Sequence, residues 1–541
     1  MMPGVTLGHC PRRRGMGRKS RFFLVGVGAL LMSALLFVLL GCTTLPPHPG
    51  GPAVAALPAG EGTRLDEVVQ PALDAHPGQS GFHLVSDGVA AFALRGLSGR
   101  AAERSLDLQY YIWHDDMTGR LLALELIEAA DRGVRVRLLL DDMDARAKNF
   151  AIAALAAHPN IDVRLFNPFA SRQGLFGKGM EAITSFSRIN HRMHNKSWIV
   201  DNRFAIAGGR NIGDEYFSAS DHVNFNDLDL AFVGPAVEEL SGSFDRYWNS
   251  DQVYPIESLS PAAVSTEALE ALSAAARAYA AEAVQTPYIL AMQGHDAVAA
   301  ARAMALPMHW TTSWQVLSDA PDKARFKDSP MQGSAVLAGL TRAVDAAASD
   351  VTLISPYFVP GKAGTAQLTG LVAEGRQVRI LTNSLAANDV AAVHGGYAGY
   401  RKALLAGGVQ LWELKPERTA DDADDGGEGI SLFGSSGASL HSKAVLIDDS
   451  RAFVGSFNLD PRSVSLNCEQ GILVDEPVIA AELAALFETM TTPTAAWRVS
   501  LDEDALRWNG DNGTYQREPE ASLGRRFQAR LARWLPVEPL L

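Results

Sequence analysis

One eight-residue pattern, HxKxxxxD, occurs twice in the chain and constrains its fold more than any other feature. The first copy runs from His194 to Asp201 and the second from His441 to Asp448, so the two histidines are 247 residues apart. Each copy is followed at the same interval by a turn of small residues, GGRN in the first and GSFN in the second. A lone HxK would be a weak signal, but duplication with matched downstream spacing predicts two related halves.

The residue types of the motif indicate where it lies in the fold. In both copies an apolar run stands between the lysine and the aspartate, which predicts a buried strand. Residues i and i+2 of a strand share a face, so we expect the histidine and lysine of each copy to project together. The aspartates have the opposite parity, and we expect them at the strand ends, where they support the site indirectly. The candidate catalytic residues are His194, Lys196, Asp201, His441, Lys443 and Asp448.

The small-residue turns after the motifs are suited to holding an anion. Glycine permits a tight turn whose backbone N–H groups approach a ligand closely, and nearby hydroxyl and amide side chains add contacts. The candidate anion-binding or site-supporting residues of these turns are Asn211, Ser456 and Asn458.

A strand–helix–strand order precedes both copies of the motif. Units of this kind predict mixed or mostly parallel sheets covered by helices, and therefore an α/β chain. Gly133 and Gly375 stand where the helix of each unit ends. The predicted elements are Leu106 to Tyr111, Gly119 to Asp131 and Val134 to Leu140 in the first half, and Val351 to Ser355, Thr365 to Ala373 and Val378 to Leu381 in the second.

The N-terminus has the features of an export or anchoring signal. Six basic residues and no acidic ones precede an uncharged run of nineteen residues from Phe22 to Leu40. That length nearly matches the roughly 20 residues that span a bilayer as a helix. The run ends in LLGC, which resembles a bacterial lipobox, so we expect cleavage before Cys42 and lipidation of its thiol. An uncleaved membrane helix is the alternative, and both place the body of the chain across the membrane from the basic end.

Charge and cysteine content argue against two other classes of protein. Outside residues 1–42 the chain has 42 basic and 61 acidic residues, a net charge of -19, which disfavours a nonspecific nucleic-acid binder. Cys468 is alone in the body, so neither a disulfide framework nor a cysteine-rich zinc site is expected there.

The motifs resemble those of the phospholipase D superfamily, and within it the bacterial cardiolipin synthases, over about residues 75–500. The stretches YYIW from Tyr110, RMHNKS from Arg192 and GGRNIGD from Gly208 are most similar to the C subtype. The resemblance implies two pseudo-symmetric phospholipase D-type α/β/α domains, each a mixed sheet covered by helices, that share one active site. One departure is Gly209, where the second copy has Ser456; we expect the loss of a hydroxyl contact without a threat to the chemistry.

The resemblance also implies a mechanism. One histidine attacks the phosphorus of a phosphodiester, the other protonates the leaving alcohol, and an incoming alcohol or water then displaces the phosphohistidine. Lysines neutralise the nonbridging oxygens, so no metal or other cofactor is implied. We expect His194 to be the nucleophile and His441 the general acid and base. Family members orient a histidine with an acidic residue, for which we choose Asp227 and Glu469, with Asp229 as a rival and a solvated strand-edge acid as the alternative.

We therefore expect a phosphatidyltransferase of cardiolipin synthase type, held at the membrane of the bacterial cell envelope with its catalytic body on the periplasmic side. The expected donor is phosphatidylglycerol or, as the C subtype implies, phosphatidylethanolamine paired with phosphatidylglycerol. Phospholipase D hydrolysis to phosphatidic acid is the main alternative. A nuclease is opposed by the acidic body and the anchor, and a noncatalytic lipid-binding scaffold by the two complete motifs.

Two further groups of residues are candidates for contact with lipid. Tyr110, Tyr111, Tyr357 and Phe358 follow matching strands, and we expect them either to line the cleft or to belong to the core. The segment from Phe166 to Phe186 mixes apolar residues with glycines and basic residues, which fits either a membrane-facing rim or a loop packed on the body.

The expected organisation has six regions. They are a signal peptide or anchor (1–42), a flexible tether (43–74), a first phospholipase D-like domain (75–250), a helical connecting region (251–325), a second phospholipase D-like domain (326–500) and a C-terminal extension (501–541).

Overall fold

The computed structural model describes residues 45–60, 62–145, 149–170, 186–302, 306–416 and 440–533. The predicted signal with Cys42, and most of the segment from Phe166 to Phe186, lie outside these residues. Within them, no helix combines the length and the apolar character needed to cross a bilayer. The chain divides into two compact units, Met1–Pro46 with Phe169–Ser187 and Pro47–Pro168 with Arg188–Leu541, and the second unit contains every described strand.

The first half forms a nine-stranded mixed sheet with the order β8-β4-β3-β2-β5-β6-β7-β1-β9. Strands β2, β3 and β4 are parallel to one another, whereas β5, β6, β7 and β1 pair in antiparallel fashion. The strands are β1 (Ser80–Val85), β2 (Ser105–Tyr110), β3 (Arg135–Asp141), β4 (Ile161–Phe166), β5 (Ser197–Val200), β6 (Phe204–Gly208), β7 (Asp229–Val233), β8 (Val253–Pro255) and β9 (His309–Thr311).

The second half forms a ten-stranded mixed sheet with the order β10-β16-β15-β14-β11-β12-β13-β17-β18-β19. Here β11, β12 and β13 are parallel, and the other pairings are antiparallel. The strands are β10 (Trp314–Ser318), β11 (Asp350–Ile354), β12 (Gln377–Asn383), β13 (Gln410–Leu414), β14 (Ala444–Ile447), β15 (Arg451–Gly455), β16 (Gln470–Asp475), β17 (Ala496–Asp502), β18 (Ala505–Gly510) and β19 (Gly513–Tyr515).

The two sheets repeat one another strand for strand. The order β4-β3-β2-β5-β6-β7-β1 of the first corresponds to β13-β12-β11-β14-β15-β16-β10 of the second, with the same parallel and antiparallel pairings. Gly133 and Gly375, which follow the helix of each strand–helix–strand unit, have left-handed φ values of 95° and 94°. A side chain is strained in that conformation, so both helices end where glycine permits the turn. The repeat predicted from the sequence is confirmed.

Helices cover both sheets and also lie between them. Asp116 caps the helix Met117–Asp131 by accepting the N–H of Gly119 at 3.0 Å. In the described part of the chain the α-helices are Arg64–Ala75, Gly88–Ala101, Met117–Asp131, Asp142–Ala145, Asn149–Leu155, Phe186–Ile189, Pro235–Trp248, Ile256–Leu259, Thr266–Ala283, Pro287–Gln293, Asp296–Arg302, Pro330–Gly333, Ala335–Asp345, Gly361–Ala373, Ala391–Ala398, Arg401–Ala406, Pro461–Ser465, Pro477–Met490 and Leu523–Ala532.

Buried apolar side chains form one outer core on each half and an inner core that the halves share. The outer cores lie between a sheet and its own helices. The inner core joins Ile199 and Phe232 of the first sheet to Leu446 and Val454 of the second. Since the two sheets bury a common apolar face, their facing edges are held in a fixed relation, which is the requirement for one site built from both halves.

The predicted tether differs from the structure. Residues 64–75 are helical, and residues 47–60 have no regular secondary structure but bond to the body. Val54 N–H donates to Asn249 Oδ1 and Ala56 N–H donates to Asp245 Oδ2, both at 2.8 Å. A segment rich in Pro, Gly and Ala has few side chains to bury. Since no helix or strand uses its backbone N–H groups, they are available to the side chains of the body.

The outer regions also differ from the prediction. The connecting region, expected to be helical, supplies β8 and β9 to the first sheet and β10 to the second, beside the helix Thr266–Ala283. The predicted C-terminal extension completes β17 and adds β18 and β19 to the second sheet. These strands pair with partners that are remote in sequence or lie at a sheet edge, so local periodicity carries little information about them.

Candidate active site

The histidine and lysine of each motif lie in an extended segment immediately before a strand, not within it as predicted. Strand β5 begins at Ser197 and β14 begins at Ala444. The His194 N–H donates to the carbonyl of Cys468 at 2.8 Å, and the His441 N–H donates to the carbonyl of Asn226 at 2.9 Å. The backbone of each histidine therefore bonds to the opposite half of the chain, and the strand of its own sheet begins only after the lysine.

The same crossing brings each histidine to an acid of the opposite half. His194 Nδ1 lies 2.8 Å from Glu469 Oε2, and His441 Nδ1 lies 2.5 Å from Asp227 Oδ2. A carboxylate accepts, so in both pairs the Nδ1–H is the donor and Nε2 keeps its lone pair. The sequence identified both acids but not that each orients the histidine of the other half.

Burial favours the neutral form of both imidazoles. It lowers the pKa of His194 to about 4 and that of His441 to about 3, against the pull of Glu469 and Asp227. Lys196 and Lys443 contribute to both shifts, so each lysine acts on the histidine of either motif. The two motifs therefore form one electrostatic site.

The two lysines of the motifs are buried beside the histidines. Lys196 Nζ donates to the carbonyl of His194 at 2.6 Å, and Lys443 Nζ donates to the carbonyl of His441. Burial lowers the pKa of Lys443 to about 8 and holds the pKa of Lys196 well below its ordinary value. An ammonium with three donors keeps N–H groups for an anion after making one such bond.

The two acids remain ionised although they are buried. Burial acts to raise the pKa of Asp227 and Glu469, but the interaction with the paired histidine, including its Nδ1–H hydrogen bond, and the charge of the neighbouring lysine outweigh it and lower both pKa values. Each half therefore contributes one lysine and one carboxylate to the site.

Asp229, the rival to Asp227, belongs to a different arrangement. Its carboxylate lies 2.9 Å from Arg95 Nη2 and 3.3 Å from Arg210 Nη1, and all three side chains are buried. The Arg95 Nε–H also donates to the Tyr110 hydroxyl at 3.0 Å. Asp229 is therefore the counter-charge of a buried arginine pair and faces no histidine of the site.

The aspartates of the two motifs lie at the strand ends, the position expected from parity, and bind backbone N–H groups there. Asp201 accepts the N–H groups of Glu103, Arg104 and Ser105 at 2.8–3.0 Å. Asp448 accepts those of Ala348, Ser349 and Asp350 in the second half. Both aspartates have left-handed φ values, 52° and 51°, at the end of a strand. They fix the start of the neighbouring strand, β2 or β11, and lie apart from the histidines.

The turns after the motifs differ between the halves. The Ser456 hydroxyl donates to Glu469 Oε2 at 2.5 Å and so supports the acid that orients His194. Asn211 accepts the Ile112 N–H at 3.2 Å and donates to the Tyr216 hydroxyl at 3.0 Å, which occupies its amide. Asn458 Oδ1 is buried and has no hydrogen-bond partner among the described residues. The amide oxygen of the second half is therefore available only to a hydrogen-bond donor.

The lack of a side chain at Gly209 has a steric reason, beyond the loss of a hydroxyl contact that we expected from the sequence. A Cβ at this position would overlap Asp227 Oδ1 and lie within 3.0 Å of Oδ2. Asp227 cannot turn away, because Oδ1 accepts its neighbour's N–H from Leu228 and Oδ2 binds His441. The short acid thus occupies the space that a serine side chain would need, whereas the longer Glu469 leaves room for Ser456.

Aromatic rings pack against both histidines. Tyr111 meets His194 edge to face at a centroid distance of 5.1 Å. Tyr216 and Phe225 meet His441 at 5.2 and 5.3 Å. Sequence reasoning missed the last two, which lie in an irregular segment with no periodic signal. Of the other aromatic candidates, Tyr110, Phe358 and Phe166 are core residues, which is the alternative reading for them.

Tyr357, the remaining aromatic candidate, contacts an acid that the sequence did not indicate. Its hydroxyl donates to Asp389 at 2.6 Å, and burial together with that carboxylate raises its pKa well above the ordinary value. The negative charge of Asp389 also acts to raise the pKa of Lys443, so this pair borders the site. His394 lies on the helix Ala391–Ala398 and is buried beside Arg401.

Comparison with known sequences points to one family. The sequence family described as "Cardiolipin synthase, PLD-like domain" matches residues 100–248 and 340–491, one copy in each half. The chain is similar to cardiolipin synthase C of Escherichia coli K12, with 41% identity over 490 residues that cover 88% of this chain and 100% of the relative. It is also similar to cardiolipin synthase A of Pseudomonas entomophila, with 25% identity over 75% of this chain and 67% of the relative.

Comparison with solved structures supports the fold. The chain superimposes on the phosphatidylserine synthase of Haemophilus influenzae with a TM-score of 0.55 and 13% identity, covering 88% of this chain and all of that one. At this identity the likeness concerns the fold: two mixed sheets, each covered by helices, as the resemblance implied.

Proposed function

Because the chain belongs to the family of cardiolipin synthases with phospholipase D-like domains, we propose that it transfers a phosphatidyl group from one phospholipid to another at the site between its halves. The observation that carries this proposal is the pair of crossed histidine–acid bonds, His194 with Glu469 and His441 with Asp227. Two complete histidine–lysine pairs oriented in this way are the equipment for a two-step displacement at phosphorus.

In the first step His194 Nε2 attacks the phosphorus of the donor lipid. The bond from phosphorus to the headgroup oxygen breaks, and that oxygen takes the proton from His441 Nε2. In the second step neutral His441 accepts the hydroxyl proton of the incoming lipid. The hydroxyl oxygen of the incoming lipid bonds to phosphorus, the bond from phosphorus to His194 breaks, and the lipid product leaves. No net proton or electron is gained or lost over the two steps.

Substrate binding prepares His441 to act as the acid. Burial lowers its pKa to about 3, and among the charges around it Lys443 is the one that lowers the pKa most. A phosphodiester anion beside Lys443 neutralises that charge and adds its own attraction for the imidazolium, so the pKa of His441 rises when substrate enters. The assignment of His194 as nucleophile rests on the resemblance to the family.

The two lysines hold the nonbridging oxygens in this scheme. Lys196 and Lys443 each retain N–H donors, and both are buried where charge interactions are strong. The amide of Asn211 is held by Ile112 and Tyr216, so we assign a positioning role to Asn211.

The substrates and location proposed here follow from the N-terminus and the resemblance. Lipidation of Cys42, or a membrane helix over Phe22 to Leu40, would hold the body at the periplasmic face of a bacterial membrane. A tether raises the local concentration of substrates that lie in a bilayer. Phosphatidylglycerol is the proposed donor, or phosphatidylethanolamine with phosphatidylglycerol as the acceptor.

The test is lipid analysis after incubating the purified chain in vesicles with labelled phosphatidylglycerol, with and without phosphatidylethanolamine. We expect labelled cardiolipin, which vanishes in His194→Ala and persists in the control His222→Ala, a residue on an exposed loop. Phosphatidic acid without cardiolipin would mean that water is the acceptor and would replace transfer by hydrolysis. Full activity in both His194→Ala and His441→Ala would refute the site itself.

A further inference from the structure

The C-terminal helix Leu523–Ala532 presents an apolar stripe to solvent. Leu523 is 80% exposed, Phe527 67% and Leu531 49%, values that are unusual for large apolar side chains. They are spaced four residues apart and therefore share one face of the helix. Ala529 and Ala532 are buried and mark the opposite face, which packs on the body. The stripe is thus directed away from the protein.

The charge of this helix is opposite to that of the chain as a whole. From Ala521 to Arg533 there are four arginines and no acidic residue, in a chain with a net charge of -13. Arg530 and Arg533 are exposed beside the stripe. An exposed apolar stripe flanked by basic residues matches an anionic bilayer surface, where the apolar side chains enter the interface and the arginines meet the headgroups.

The helix is held rigidly on the second half. A Cβ at Gly395 would overlap the carbonyl oxygen of Ala529, so the helices Ala391–Ala398 and Leu523–Ala532 approach each other as closely as glycine allows. Before the helix, Glu518 accepts from Arg401 Nη2 at 2.7 Å. The orientation of the stripe is therefore a fixed property of the fold.

The helix is also connected to the border of the active site. Arg525 donates to the carbonyls of Leu385, at 3.1 Å, and of Asn388. The next residue, Asp389, accepts the hydroxyl of Tyr357, and this pair borders the active site. A partner that binds the apolar stripe would thus lie close to the strand ends that form the cleft.

We propose that the helix Leu523–Ala532 is a docking surface for an anionic lipid bilayer, separate from any N-terminal anchor, and that it orients the cleft toward its lipid substrates. The apolar stripe supplies insertion and Arg530 and Arg533 supply selectivity for negative headgroups. Docking goes beyond the proposed transfer reaction and does not depend on it, because no catalytic group takes part.

Hydrogen–deuterium exchange of the full chain in nanodiscs tests this directly. The chain carries His194→Ala so that lipid composition stays constant, and discs of phosphatidylcholine are compared with discs that also contain phosphatidylglycerol. We expect amide exchange over 523–532 to slow when phosphatidylglycerol is added. In Arg530→Gln/Arg533→Gln we expect the equilibrium constant for docking to fall about fivefold for each arginine removed.

Two further variants make the result specific. Leu523→Gln/Phe527→Gln/Leu531→Gln removes the stripe and abolishes the added protection, and because these side chains are exposed the fold is retained. The matched control Leu290→Gln, which changes an apolar residue that is 48% exposed on the first half, leaves the protection unchanged. Equal exchange in both kinds of disc would overturn the proposal. Protection that grows with protein concentration without phosphatidylglycerol would also overturn it, since the stripe would then pair with a second copy.

Discussion

Glu469 of the second half accepts the Nδ1–H of His194 of the first half at 2.8 Å. The reverse pair, Asp227 with His441, lies at 2.5 Å. Neither half contains a histidine together with the acid that orients it, so the two halves form one catalytic unit.

Removing either orienting acid is expected to lower kcat while leaving KM nearly unchanged. In Glu469→Gln and Asp227→Asn the histidine keeps a neighbour of the same shape but loses the charge that fixes its tautomer. Loss of an aspartate from a comparable histidine pair lowers kcat about 10⁴-fold, and we expect about 10²- to 10⁴-fold here. Steady-state kinetics on folded protein measures this. A change in KM alone would mean that the acids bind substrate and do not orient the histidines.

The neighbouring acid Asp229 is expected to give the opposite result. Asp229→Asn leaves Arg95 and Arg210 buried without their counter-charge, which costs about 3–5 kcal/mol of unfolding free energy. Denaturant unfolding measures the loss, with the exposed Asp251→Asn as control. The folded fraction keeps its kcat. A catalytic defect without a loss of stability would contradict the separation of Asp227 from Asp229.

The motif aspartates are expected to contribute stability. Asp201→Ala leaves three backbone N–H groups without an acceptor, a cost of about 1–3 kcal/mol, and Asp448→Ala costs less because its surroundings are more exposed. Burial acts to raise the pKa of Asp448, but the N–H groups of Ala348 and Ser349 outweigh it and hold the pKa below 3.8. A carboxylate whose pKa is lower in the folded than in the unfolded protein stabilises the fold above the unfolded pKa, and this stabilisation is lost on acidification. The cost of Asp448→Ala should therefore shrink below about pH 4. Urea unfolding at pH 3 to 7 measures it, and a constant cost over that range would exclude the charge of Asp448 as its source.

Anion binding is expected to weaken in alkaline solution. Sulfate keeps its charge across neutral and alkaline pH, so any change reports the protein. Since the pKa of Lys443 is about 8, the sulfate Kd should rise above that pH as the ammonium loses its proton. In Lys443→Arg the guanidinium stays charged and the rise disappears. Inhibition of transfer by sulfate at several pH values measures this, and an unchanged rise in the variant would assign it to another group.

The turn and the acid of the first half are expected to be exchangeable only together. Gly209→Ser displaces Asp227, which is held by Leu228 and His441, and should lower kcat as much as Asp227→Asn does. Gly209→Ser/Asp227→Glu recreates the Ser456–Glu469 arrangement and should recover most of the activity. A double-mutant cycle measures the coupling. Additive losses would show that the two positions act independently.

The sequence was sufficient for the repeat and for the two motifs that the structure brings together, but not for Tyr216, Phe225 and Asp389. Matched spacing revealed both halves, the strand–helix–strand units were recognisable from apolar runs and from glycines such as Gly133, and the motif placed the histidines beside the lysines. It could not show the crossing of the halves, because His194 and Glu469 are 275 residues apart and each half looks self-sufficient. Edge strands such as β9 and β19 escaped prediction because pairing with distant partners, and not local pattern, creates them.

The crossed pairs also determine when during synthesis the chain acquires its chemistry. A ribosome completes the first half, with His194 and its lysine, long before Glu469 has been made. At that stage the imidazole has no fixed tautomer and no oriented proton donor opposite it. We therefore expect the growing chain to be unreactive toward phosphodiesters until β16 has joined the second sheet and the inner faces of both sheets have met.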